Sequence, residues 1–168
     1  MQYPRGGRLR PTTEAVREAL FSALQEYVRG ARFADLFAGT GAVGLEALSR
    51  GAARVVFVEK DPRCVEALRA NAANVGAGDR AVIVAGTVEE KWARVSEEHG
   101  PFDLVFADPP YAYAGWASLA EQLLEKKVGV AEQGIVIVEY AWRRPPEIRQ
   151  EPWRQKRFGE TGLNLYRA

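Results

Sequence analysis

Hydrophobic and polar residues follow two rhythms along this chain. Short, nearly continuous apolar runs lie at about 33–37 (FADLF), 54–58 (RVVFV), 81–84 (AVIV), 103–107 (DLVFA) and 135–140 (IVIVEY). Runs of that length and make-up suit strands covered on both faces, as in a parallel sheet. Longer segments near 43–50, 62–75, 88–98 and 115–127 separate them and predict helices, so strand and helix alternate in the manner of an α/β fold. Ahead of the first strand, Val16, Leu20, Phe21, Leu24 and Val28 form one apolar stripe. With Thr12 as N-cap and Glu14 in the first turn, the stripe predicts a helix over about 13–28, ended by Gly30. Near the C-terminus, WRQKRFG and LNLYR surround Glu160-Thr161-Gly162 and predict a closing hairpin. The expected architecture is a mostly parallel seven-stranded sheet with an antiparallel C-terminal hairpin and helices on both faces.

Composition narrows the class. A chain of 168 residues, 47% hydrophobic and 27% charged, builds one well-buried core, so a single domain spanning 1–168 is expected. Within it, 1–12 reads as an irregular basic arm, 13–28 as the N-terminal helix and 33–168 as the core. Lys and Arg number 23 against 22 Asp and Glu, which excludes attachment to nucleic acid by bulk charge alone and excludes a disordered tail. The charge is nevertheless uneven. Residues 1–32 hold six Arg against three Glu, and 142–168 hold seven basic residues against three acidic, leaving 33–141 at net −6. If both ends lie on one side, they form a positive face that can meet phosphates. Cys64 is the one cysteine and His99 the one histidine, so no internal disulfide and no zinc-type Cys/His cluster is expected. Neither a signal-peptide run nor a membrane span stands out, and a reducing, cytoplasmic setting fits best.

The first strand leads into Asp35-Leu36-Phe37-Ala38-Gly39-Thr40-Gly41-Ala42-Val43-Gly44, a G-x-G-x-x-G placed between strand and helix. Glycines there allow a tight turn and the close approach of a ligand. Glu59 ends the second strand, 20 residues beyond Gly39, where an acid can accept hydrogen bonds from ribose hydroxyls. Together they point to a nucleoside-containing cofactor. Asp35, four residues before Gly39, suits a ligand carrying an ammonium or sulfonium better than a diphosphate, unless its task is to cap a neighbouring turn.

The fourth strand runs into Asp108-Pro109-Pro110-Tyr111. Two prolines fix an extended turn and leave carbonyls without neighbouring N–H groups. An exocyclic nucleobase amine has two N–H donors and a lone pair delocalised into its ring. Accepting both bonds, at the Asp108 carboxylate and the Pro109 carbonyl, favours a more tetrahedral nitrogen whose lone pair faces an electrophile. Tyr111 can stack on the base, and its π face can lie near a cationic methyl donor.

With these residues in view, Asp35 to Gly44 resembles motif I of class I S-adenosylmethionine-dependent methyltransferases, and DPPY resembles the amino-methyltransferase motif IV. The segment Arg10-Pro11-Thr12-Thr13-Glu14-Ala15-Val16-Arg17-Glu18-Ala19-Leu20-Phe21, then DLFAGTGAVGLEALSRGA, FADPPY and the closing LNLYR, is similar to the bacterial RsmD family, which methylates a guanine N2 of 16S ribosomal RNA. Val43 stands where that family usually has Leu. The resemblance covers nearly the whole chain and implies a Rossmann-like class I methyltransferase fold. It also implies RNA over DNA, guanine over adenine, and the small ribosomal subunit or its assembly intermediate as partner. The implied cofactor is S-adenosylmethionine, bound by Asp35, Phe37, Gly39, Thr40, Gly41, Glu59, Lys60, Thr87, Val88 and Asp108, with Thr12, Thr13 and Arg17 beside the same cleft. Asp108, Pro109, Pro110 and Tyr111 are the implied catalytic set, and no metal is called for. RNA contacts are expected from Arg5, Arg8, Arg10, Tyr113, Trp116, Arg143 and Arg144.

Rival readings share parts of this set. A DNA adenine-N6 or cytosine-N4 methyltransferase has the same two motifs but normally brings extra sequence to read its site. A protein-glutamine methyltransferase usually has Asn where Asp108 stands. A ribosome-assembly factor that binds cofactor and RNA without turnover, or a nicotinamide-linked enzyme, is distinguished by assay.

Overall fold

The structure is a computed structural model that describes residues 14–110 and 113–168. Chain order gives α1 (Glu14–Ala23), β1 (Arg32–Leu36), α2 (Ala42–Ser49), β2 (Arg54–Glu59), α3 (Pro62–Asn74), β3 (Ala81–Ala85), α4 (Val88–His99), β4 (Phe102–Ala107), α5 (Trp116–Ala120), β5 (Val130–Ala141), β6 (Arg154–Phe158) and β7 (Thr161–Arg167). The seven strands form one sheet ordered β3-β2-β1-β4-β5-β7-β6. Strands β1 to β5 pair in parallel, and β7 pairs antiparallel with both β5 and β6. This is the expected mostly parallel sheet with a C-terminal antiparallel hairpin. Strand order reverses between β1 and β4, and in open α/β sheets ligands collect outside the carboxyl ends of the strands at such a reversal.

Alternation along each strand sorts the core into two layers. Phe33, Val55, Phe57, Leu104, Phe106 and Ile137 face one side, where they pack with Leu20, Phe21, Leu45 and Leu68 of α1, α2 and α3. Leu36, Val56, Val58, Val105 and Val138 face the other, against Trp92, Val95 and Leu119 of α4 and α5. Helix starts are set locally. The Asp61 side chain accepts the Arg63 N–H at 2.9 Å, with Pro62 in the first turn of α3, and Thr87 Oγ1 accepts the Glu90 N–H at 3.3 Å to open α4.

Four boundaries differ from the sequence expectation. Helix α1 ends at Ala23, although the whole apolar stripe to Val28 is buried; beyond it, the Tyr27 and Val28 N–H groups share the Leu24 carbonyl in a run of turns. Helical spacing of apolar residues does not separate a helix from a turn that keeps the same face inward. The predicted 115–127 helix is α only to Ala120 and continues as a π-helical turn over Glu121–Glu125. Strand β5 begins at Val130, five residues early, across a register shift near Gln133, whose φ is +66°. The hairpin turn is Gly159-Glu160, since Phe158 pairs with Thr161. Gly159 has φ +57° at the first turn position, a conformation that favours glycine, whereas Thr161 and Gly162 already belong to β7.

Candidate active site

Register places the chemistry. Leu36 pairs with Val58 and with Ala107, and Ala107 pairs with Val138. One step beyond those residues, toward the carboxyl edge of four adjacent strands, come Glu59, Phe37, Asp108 and Glu139, with β5 running on to Ala141. Two residues below Phe37 in β1 lies Asp35. Asp35, Glu59 and Glu139 are 2%, 9% and 8% exposed. The strand-order reversal is therefore rimmed by acids held largely out of water.

Asp35 sits beneath the glycine turn. Its Oδ2 accepts the Gly44 N–H at 2.9 Å, so its side chain caps an otherwise unpaired donor in the first turn of α2, the capping alternative that its sequence position left open. Burial pushes its carboxyl up from the ordinary 3.8 to about 7; the Gly44 bond opposes that, and the charges of Glu59 and Glu139 add to it. Glu59 clamps the same turn from the side. Its Oε2 accepts the Gly39 N–H and its Oε1 the Asp61 N–H, both at 2.7 Å, and its backbone carbonyl accepts the Gly86 N–H at 2.9 Å. One residue thus joins the ends of β1, β2 and β3.

The glycines have distinct jobs. At Gly41, φ is +84° and a Cβ would overlap Leu68 Cδ1, so both backbone and space demand glycine. At Gly44, a Cβ would overlap the Phe57 ring, and glycine lets α2 press onto β2. Phe37 takes φ +64° without being glycine, turning the chain out of β1.

The remaining expected cofactor residues are distributed as follows. Thr40 is buried, with its carbonyl accepting from Asn71 Nδ2 at 3.1 Å. Lys60 is exposed at the end of β2; Thr87 caps α4, and Val88 is buried. Arg17 Nε lies 2.9 Å from Glu46 Oε2, tying α1 to α2. Thr12, Thr13, Tyr111 and the arm residues Arg5, Arg8 and Arg10 lie outside the described residues.

At the end of β4, Asp108 is half-buried, Pro109 buried and Pro110 exposed. The Asp108 N–H lies 3.5 Å from the Leu36 carbonyl, keeping the turn beside β1. Tyr113 reaches across the edge. Its hydroxyl donates to Glu89 Oε1 at 2.5 Å, its ring meets Phe37 edge-on at 5.0 Å, and Trp116 meets it edge-on at 5.8 Å. The Tyr113 bond holds the Glu89 carboxyl below its usual range; burial first, and then Glu89, push the Tyr113 phenol up. Arg143 faces Glu160 at 3.5 Å with both side chains in solvent, and Arg144 is exposed. Glu139 was missed by sequence reasoning, although its signal is related to that of Glu59: an acid following an apolar run near the carboxyl end of a strand. Among the described residues, no group of His, Cys, Asp or Glu comes together as a metal site, and no helix is long and apolar enough to cross a membrane.

A carboxylate rim around a glycine turn attracts a cationic ligand, and the Asp-Pro-Pro turn beside it offers oxygen acceptors for an amine. The family model described as "Conserved hypothetical protein 95" matches residues 1–167. Ribosomal RNA small subunit methyltransferase D of Escherichia coli (strain K12) is 33% identical over 169 residues, covering 99% of this chain and 83% of that protein. A putative rRNA methyltransferase, YlbH, of Bacillus subtilis (strain 168) is 29% identical over 167 residues, covering 96% of this chain and 89% of that one. The solved structure of a putative methyltransferase from Escherichia coli superposes with a TM-score of 0.82 at 33% identity, covering 99% of this chain and 90% of the other. Sequence match, sheet order and site architecture converge: the chain belongs to the Conserved hypothetical protein 95 family, the RsmD family of class I methyltransferases.

Proposed function

We propose that this chain transfers a methyl group from S-adenosylmethionine to the exocyclic N2 amine of a guanine in 16S rRNA of the small ribosomal subunit, in the cytoplasm. The observation that carries the reading is the layer at the strand-order reversal, where Glu59 at the end of β2, Asp108 just past β4 and Glu139 near the end of β5 lie side by side around the glycine turn. S-adenosylmethionine, when bound, supplies a methyl group already activated on a sulfonium centre. The buried carboxylates give its ammonium and sulfonium a negative field, and a low-dielectric rim makes that field stronger than it would be in water. Glu59 accepts the ribose hydroxyls with its remaining lone pairs while it holds Gly39.

Asp108 and the Pro109 carbonyl accept the two N–H bonds of the guanine amine, orient its lone pair toward the methyl group, and exclude competing geometries. Asp108 then takes the released proton. Tyr111 stacks on the base, which is splayed from its loop as in sequence-specific RNA recognition. The names of the Escherichia coli and Bacillus subtilis relatives, both assigned to rRNA, support RNA as the substrate class.

The test is methyl transfer from labelled S-adenosylmethionine to small subunits lacking the modification, with free rRNA and DNA in parallel and digestion to nucleosides. N2-methylguanosine from rRNA or subunits is the expected product. Label in DNA or protein, or no transfer despite cofactor binding, overturns the reading. In the same assay Asp108→Ala is expected to lower transfer by about 10²–10³-fold, with cofactor affinity nearly unchanged.

A further inference from the structure

The antiparallel end of the sheet carries a basic aromatic surface that the cofactor cleft and the Asp-Pro-Pro turn leave unused. Beyond β5 the chain reaches Trp142, whose ring stacks on Tyr140 at 6.3 Å and 21°. The Arg157 guanidinium, from the last turn-ward part of β6, lies 5.0 Å from the Trp142 ring centroid. Its Nε donates to the Gly159 carbonyl at 2.9 Å, which fixes the guanidinium plane against the hairpin turn. Since β7 is antiparallel to both β5 and β6, the latter two run in the same direction as β4. Trp142 and Arg157 therefore stand on the same edge as Asp108, and β5 is the immediate neighbour of β4.

The charge there is available. Arg157 and Arg144 are exposed, and among the described residues neither forms an ion pair. Arg143 faces Glu160, in an exposed pair worth little and readily exchanged for a phosphate. A guanidinium held over an indole presents a planar cation beside an aromatic ring, which is the chemistry that stacks on a nucleobase beside a phosphate.

We infer that Trp142 and Arg157 form a stacking platform for the single-stranded RNA flanking the target base, with Arg143 and Arg144 on its phosphates. The inference rests on the rRNA reading above and deepens it by giving the flanking strand a track across β5, β7 and β6. Aromatic platforms tolerate any base, so this surface supplies grip and direction, while the choice of base stays with the Asp108 turn. A rival use for the charge exists: β6 is an edge strand, and charged residues on such strands discourage pairing between molecules. The two uses separate by sign, because a glutamate protects an edge as well as an arginine does but repels a phosphate.

The experiment measures the KM for small ribosomal subunits lacking the modification and for free rRNA, the KM for S-adenosylmethionine, kcat and thermal stability for the unmodified chain, Arg157→Glu, Arg157→Lys and Trp142→Ala. Arg157→Glu and Trp142→Ala are expected to raise the KM for RNA by about tenfold or more, as for loss of a base-stacking partner. Arg157→Lys should recover most of the effect, and the KM for S-adenosylmethionine and the stability of Arg157→Glu should stay unchanged. If the unmodified chain methylates RNA and Arg157→Glu does so with the same KM, the platform is wrong and the rRNA reading stands. If the unmodified chain neither binds nor methylates RNA, both fall.

Discussion

Asp35 shows how a single buried residue links stability to the charge of the site. With its carboxyl pushed up to about 7, the folded chain keeps a proton that the unfolded chain, near 3.8, has lost. Between those values the native state binds more protons, so Asp35 makes stability fall as pH rises from about 4 to 7, by up to about 4 kcal/mol. Asp35→Asn keeps an oxygen for the Gly44 N–H and removes the charge; urea unfolding across that pH range is expected to show a flatter profile and a variant at least as stable near pH 8. Glu59 instead holds the glycine turn with both of its oxygens. Glu59→Gln leaves one oxygen for two backbone donors, so either Gly39 or Asp61 faces an amide N–H. Loss of a charge-assisted bond predicts about tenfold or more weaker S-adenosylmethionine binding by calorimetry, with turnover at saturation little changed. Both acids were legible as candidates from strand ends and spacing. Their partners were not, because a hydrogen bond to Gly44 or Gly39 depends on how the turn folds back over the strand.

At the scale of elements, the contact between α2 and β2 is set by what Gly44 lacks. A methyl group there would overlap the Phe57 ring and Val55, both central in the sheet. Gly44→Ala is therefore expected to cost about 1–3 kcal/mol in denaturant unfolding, through overpacking rather than backbone strain. The third glycine of the motif was readable as a helix-packing position from its place in the pattern. Other element-scale features were not. Nothing in the spacing of Leu24 and Val28 distinguishes helix from turn, and the early start of β5 depends on an irregular pairing with Phe102 across the register shift. Tyr113 read from sequence as an exposed aromatic for RNA. What the sequence does not show is that its hydroxyl has a partner on α4, Glu89, 24 residues away.

Across the whole molecule, the decisive feature is the separation of charge. The central segment is acidic, and its buried acids ring the strand-order reversal; the C-terminal segment is basic and places Arg143, Arg144 and Arg157 on the same edge. On the proposed reading, one edge attracts a cationic cofactor at its centre and a polyanion at its flank. These two attractions respond differently to salt. Raising salt from about 50 to 200 mM is expected to weaken RNA binding by about tenfold for every two phosphates contacted, through counterion release, while cofactor affinity changes little because its charges sit inside a buried rim. Filter binding of rRNA beside calorimetry of S-adenosylmethionine checks both halves; equal sensitivity would refute the division.

Sequence alone determined what local chemistry controls. Apolar runs marked β1 to β4 and the body of β5, Asp61 and Thr87 cap two helix starts, and the Gly39 to Gly44 and Asp108 to Pro110 segments stood out as candidates by their spacing. These features depend on a residue and its near neighbours along the chain. Tertiary structure decided what depends on strand order and register: that Glu139 joins Glu59 and Asp108 in one layer, that Asp35 lies beneath the turn, and that Trp142 meets Arg157 from another strand. The residues brought together in this way are distant in sequence, Glu59 from Asp108 by 49 positions, and a one-residue slip of any strand would turn these side chains to the opposite face of the sheet.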